Sequence, residues 1–178
     1  FHDDEQANPI AIQYWFFYAY NNWVNNHPGD WETVTVFLNS NAQASETAFS
    51  THYEANKFSW SNVDVANTTH PKVYISNGGH GSYAHSGETI YSAATDDHDG
   101  TEGSLSFVNG DYQLSNLAPL ENDDDSWLQF LGQWGNGKPK SQLNDAAPKG
   151  PKLRTDAPTT GDRSNAINKS FDPYNGCE

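Results

Sequence analysis

Along the first third of the chain, apolar and polar positions follow the two-residue period of a strand more often than the 3.6-residue period of a helix. Ile10 to Tyr20 is apolar or aromatic on both faces and is bounded by Pro9 and Asn21-Asn22. That pattern predicts a central strand covered on both sides. From Asp30 onward a second strand alternates, with Asp30, Glu32, Val34, Val36 and Leu38 on one face and Trp31, Thr33, Thr35 and Phe37 on the other. Further strands are predicted at 48–54 and 70–76, and a hairpin over 104–114 turns at Asn109-Gly110. The one helical pattern is Asn122 to Gly135, where Asp123, Asp124 and Asp125 precede Trp127, Phe130, Leu131 and Trp134 at helical spacing. The expected fold is therefore mostly β: an antiparallel β-sandwich with one short helix and a long irregular C-terminal segment.

Composition supports this picture. Aromatic residues make up 13% of the chain and charged residues only 18%, a balance suited to sheet faces and turns. A chain of 178 residues is read as a single domain, 1–178, with residues 136–178 as a loop-rich wrap that holds five of the nine prolines. No run of about 20 apolar residues predicts a membrane span.

Nine Lys and Arg stand against 23 Asp and Glu, a net charge of −14. Up to residue 135 the only Lys or Arg residues are Lys57 and Lys72, so a nucleic-acid partner is not expected. The basic excess of the C-terminal segment favours its wrapping onto the acidic body. Without a Met anywhere, Phe1 is expected to follow a removed N-terminal segment. Together with the sequons Asn67-Thr68-Thr69 and Asn168-Lys169-Ser170, this predicts a secreted glycoprotein. A lone Cys177 is then a candidate for a disulfide to a missing segment, or a free tail thiol.

The candidate chemistry gathers where the second strand begins, at His27-Pro28-Gly29-Asp30-Trp31-Glu32. Two carboxylates on one sheet face, with an imidazole three residues ahead across a Pro-Gly turn, can converge on a hard cation or share acid/base work. Because Val34 and Val36 mark that face as core-facing, charge there must be paired, protonated or metal-bound. Asn21 and Asn22, in the loop that delivers His27, are candidate neutral oxygen ligands. His80, between glycines in Gly78-Gly79-His80-Gly81, is free to approach another element. His52 is a weaker candidate. Residues 95–102 read as a solvated acidic loop, with Asp97 or Asp99 able to supply a second carboxylate. A cation here would be calcium or magnesium by its oxygen donors, whereas the imidazoles draw toward manganese or zinc.

These segments carry a resemblance. Tyr14 to Tyr18, His27 to Val36, His52, His70 to Gly87, Phe130 to Gly135 and Gly150-Pro151, in that order, resemble the vacuolar protein sorting-associated protein 62 family. More remotely, HPGDWE is similar to the GHRHDWE heptapeptide of necrosis- and ethylene-inducing peptide-like proteins, secreted cytolysins with a β-sandwich fold. That likeness implies a divalent cation in an acidic cavity beside a membrane-glycolipid site, held through His27, Asp30 and Glu32. Gly29 stands where that family has its second His, and only Asn21 or Asn22 lies near its upstream Asp. By the same analogy His80 is a cavity-wall residue.

Three functional classes follow. The first is a secreted cation-dependent binder of cell-surface or glycolipid glycans, with Trp23 or Tyr83 as an exposed aromatic. The second is an extracellular carbohydrate-active hydrolase or lyase using Asp30, Glu32, His27 and His80. The third is a non-catalytic processed domain.

Overall fold

The computed structural model describes residues 2–24, 26–51, 54–90, 95–98, 130–135 and 147–151, with the backbone of three short strands beyond. Its frame is one antiparallel sheet. Strand β1 (Ile10–Asn21) pairs along its length with β2 (His27–Leu38), β2 pairs with β3 (Ala44–Thr51), and β3 pairs with β4 (Glu54–Ser59). Two-stranded ladders follow: β5 (Val65–Ala66) with β6 (His70–Pro71), β7 (Tyr74–Ile75) with β8 (Ser82–Tyr83), and β9 (Glu88–Ile90) with β10 (Thr95–Asp97). In the C-terminal segment β11 (Thr155–Asp156) pairs with β13 (Lys169–Ser170), and β12 (Ala166–Ile167) adds to the outer edge of β4. The large sheet thus runs β1-β2-β3-β4-β12. The mostly-β antiparallel fold expected from the alternation is the one found, and part of the C-terminal segment does pair with the body.

Alternation assigns the two faces. Val34 and Phe49 form a buried cluster with Val63 and Ala84, against which Phe16, Phe58 and Val73 pack. The other face buries Ala11, Phe37, Ala48 and Ala55. On that second face Trp31 meets Phe17 and Trp134, with ring centroids 4.8 and 5.1 Å apart.

The strand covered on both sides is β2, buried continuously from Gly29 to Phe37, and not β1. Within the described sheet β1 is an edge, with Phe17 and Tyr20 exposed. Its aromatic run serves as the margin of the core, since among the described residues no strand pairs along its other edge. The 70–76 strand divides into β6 and β7 at Lys72-Val73.

Phe130 to Gly135 is not helical. Gln133 bridges Lys149 and Trp134 N donates to Pro148 O at 2.8 Å, so tertiary pairing replaces the expected helical turn. The aromatic spacing at Phe130 and Trp134 is used instead to seat Trp134 on Phe17 and Trp31. The rest of that predicted helix, the 104–114 hairpin, His52, Asp99, Asn168 and Cys177 lie outside the described residues. No helix among the described residues is long and apolar enough to cross a membrane.

Candidate functional site

Three connections meet at the end of the sheet where β2 begins. The β1–β2 hairpin pairs Asn21 with His27, which fixes Tyr18 opposite Asp30 and Phe16 opposite Glu32. The β7–β8 turn, Ser76 to Gly81, reaches the same end, where Asn22 N donates to Gly78 O at 2.8 Å. Gly78 has φ +80°, and a Cβ there would lie 2.5 Å from Asn22 O, so close approach of the two loops requires glycine. The β9–β10 ladder joins through Asn77 N donating to Asp97 O and Trp23 Nε1 donating to Thr95 O.

Asp30 is only 6% exposed at this junction. Asn21 Nδ2 donates to its Oδ2 at 3.0 Å and to Gly79 O at 3.3 Å, while Trp23 N donates to Asn21 Oδ1. Asn21 therefore ties the carboxylate to both loops. His80 Nδ1 lies 3.2 Å from the same Asp30 oxygen, and its ring stacks on Tyr18 at 4.1 Å with an interplanar angle of 4°. His80 has φ 60°, a left-handed conformation that costs a non-glycine residue roughly 1–2 kcal/mol. The loop holds that strain while it presents the imidazole to Asp30.

The other predicted residues are turned elsewhere. Glu32, at 1% exposure, accepts from Ser50 Oγ, and Ser50 Oγ in turn accepts from Thr33 N. The β2–β3 register ends at Val34 and Phe49, so the Ser50 hydroxyl takes the place of the next backbone acceptor. His27 Nδ1 bonds Gly29 O at 2.7 Å within its own turn. Asn22 engages through its backbone, at an exposed position. Among the described residues no three His, Cys, Asp or Glu side chains are grouped to hold a metal ion. The structure thus brings together Asn21, Asp30 and His80 from the predicted set, and it seats His27 and Glu32 on separate partners.

Two features escaped the sequence reading. Tyr18, the stacking partner of His80, follows from the hairpin register once Asn21 is known to face His27. The second is beside the first. The stretch read as a solvated acidic loop contains Asp96, which is fully buried and accepts from Tyr83 OH. Tyr83 stacks on buried His98 at 3.7 Å, and His98 Nδ1 bonds His85 O at 2.9 Å. Alternation along β10 puts Asp96 inward while Thr95 and Asp97 stay exposed, so a strand rather than a loop explains the burial.

One carboxylate, one imidazole and a positioning amide form an acid/base pair. An ionised Asp30 can only accept, so Nδ1 carries the hydrogen, and in the neutral form of the ring Nε2 is then the nitrogen with the lone pair. For a cation, Asp30 and the nearby Gly79 carbonyl offer oxygen donors, whereas Asn21 faces them with Nδ2 and would have to turn its Oδ1 away from Trp23 N, and Glu32 and His27 would have to leave Ser50 and Gly29 to join them. No protein-family model, curated protein or solved structure matches the chain.

Proposed function

We propose that this is an extracellular glycan-directed hydrolase or lyase whose working pair is Asp30 and His80. The observation that carries this reading is the 3.2 Å contact between His80 Nδ1 and buried Asp30, made by a histidine held at positive φ. Asp30 orients the ring and stabilises the imidazolium that forms when Nε2 takes a proton from water or a sugar hydroxyl. Asn21 fixes the carboxylate, and Tyr18 keeps the ring plane. Glu32 and His27 support the strand end through Ser50 and Gly29 in this reading. The net charge of −14 repels anionic polymers, so the glycan is neutral. The test is release of new chain ends from neutral glycans by wild type, His80→Gln and Asp30→Asn, measured per folded molecule. Loss of at least about 100-fold in both variants is expected of an acid/base pair. Activity that is unchanged in folded variants refutes it.

A second reading, a divalent cation at the same end, is favoured by two oxygens, Asp30 Oδ2 and Gly79 O, that converge on Asn21 Nδ2. It keeps the secreted, cell-surface role that the necrosis-inducing-like resemblance implies, with calcium or magnesium preferred over manganese or zinc. Asp30 and the Gly79 carbonyl would hold the ion, with Asn21 after rotation of its amide, Glu32, His27 and Asn22 as further candidates. Elemental analysis and melting with and without chelator decide it. A stoichiometric ion lost in Asp30→Asn supports the cation, and none overturns it.

A further inference from the structure

Between the main sheet and the β5–β6 ladder lies a groove of about 440 Å³, within the size range of ligand pockets. Ile12, Val36 and Leu38 contribute its apolar part from β1 and β2, and Tyr14 and Trp60 add two aromatic rings. Gln43 and His70 supply polar groups, joined by the hydroxyls of Thr68 and Thr69. Among the described residues none in the lining is Asp, Glu, Lys or Arg. Val36 is six residues from Asp30 on the same face of β2, roughly 20 Å away at the rise of an extended strand. The groove is therefore separate from the acid/base pair.

We propose that this groove is a binding site for a neutral pyranose unit of a glycan. A pyranose has an apolar C–H face that rests on an aromatic ring and a rim of hydroxyls that exchange hydrogen bonds with amide, imidazole and hydroxyl groups. Trp60 and Tyr14 supply the first kind of surface, and Gln43, His70 and the threonines supply the second. Among the described residues Trp60 and Tyr14 stack on no other ring, and neither spends its indole N–H or phenol O–H on a protein partner. With no Asp, Glu, Lys or Arg among the described lining residues and a strongly acidic protein around it, the groove selects against a charged ligand. The rim is tied locally, Thr68 Oγ1 to Asn67 O, Thr69 Oγ1 to His70 Nδ1 and Asn39 Nδ2 to Gln43 Oε1, and a lipid tail would desolvate the Gln43 amide N–H groups and His70 Nε2 that remain, which disfavours it. The choice of a glycan rests in part on the proposed function. The groove itself does not.

Asn67, of the sequon Asn67-Thr68-Thr69, is exposed and directly precedes two lining threonines, so a glycan attached there would compete for the groove. The test therefore uses the whole chain made in a host that adds no N-glycan. Cellohexaose, laminarihexaose and mannohexaose are titrated while the indole N–H resonance of Trp60 is followed by NMR. At least one neutral hexasaccharide should shift that resonance saturably, while an oligouronate of equal length should not. Trp60→Ala, which lacks that resonance and is titrated by calorimetry beside wild type, should weaken binding by about tenfold or more. Gln43→Ala, at an exposed position beside Asn39, should weaken it several-fold. Asp30→Asn should bind as wild type, so failure of the acid/base reading leaves this result intact. No saturable shift with any of the three hexasaccharides, or binding unchanged in both groove variants, overturns the proposal. Preferential saturation by an alkyl amphiphile also overturns it.

Discussion

Gly29→Ala tests how the C-terminal segment is locked onto the candidate site. Gly29 has φ +71°, a conformation that costs an L-residue about 1–2 kcal/mol. A Cβ there would lie 2.0 Å from the backbone oxygen of Trp134. That oxygen must withdraw by about 1.4 Å before ordinary contact at 3.4 Å is restored. Being backbone, it cannot rotate aside. Its retreat loosens the hydrogen bond from Trp134 N to Pro148 O, worth about 1 kcal/mol, and the contacts of Trp134 with Phe17 and Trp31, worth roughly 0.5–1.5 kcal/mol each. The expected loss is about 3–5 kcal/mol, or roughly 10 °C in Tm for a chain of this size. Equilibrium urea unfolding, followed by tryptophan fluorescence and far-ultraviolet circular dichroism together, measures it. Gly29→Asn separates the two causes, since asparagine tolerates positive φ but still carries the Cβ. It should be nearly as damaging as alanine. A loss below about 1 kcal/mol in Gly29→Ala, or substantial rescue by asparagine, would refute the close packing of Trp134 on this turn.

Three further outcomes are expected. Ser50→Ala removes the hydroxyl that donates to buried Glu32 and accepts from Thr33 N, and should cost about 2–4 kcal/mol in urea unfolding; a cost within 0.5 kcal/mol would contradict that double role. Phe49→Ala, at a position with no exposure, should cost about 3–5 kcal/mol by the same assay, and a smaller loss would mean that Val34, Val63 and Ala84 are not packed on it. Tyr74 donates to Asp64 at 2.9 Å, and that hydrogen bond, then burial and the carboxylate charge, raise its pKa above 10.0. Because the folded value is the higher one, the contact stabilises at lower pH and fades as pH rises through the folded pKa. Asp64→Asn should lower the Tyr74 midpoint in an NMR titration, and an unmoved midpoint would exclude Asp64 as the cause.

Much of the sheet was legible because its signal is local. Alternation at Asp30 to Phe37 gave the two faces of β2 correctly, and Pro9 and the asparagines bounded β1 within a residue or so. The order of strands was less legible. An aromatic run such as Ile10 to Tyr20 has the same pattern whether it lies in the middle of a sheet or forms the margin of a core. Phe130 to Gly135 misled for a related reason, since helical spacing of Phe130 and Trp134 carries no weight against backbone pairing with residues 148 and 149.

The candidate site divides in the same way. Sequence by itself determined which groups were available: an acidic pair on a core-facing strand, an asparagine loop before it and a histidine framed by glycines. Those follow from residue type and a period of two, which depend on neighbours in the chain. Only the tertiary structure decided which groups meet. Asp30 went to His80, fifty positions away, Glu32 to Ser50, His27 to its own turn, and Asp96 inward beneath Tyr83. A hydrogen bond depends on distances of about 3 Å between side chains that the sequence does not place, and those distances are set by register, loop closure and the packing of one layer on another.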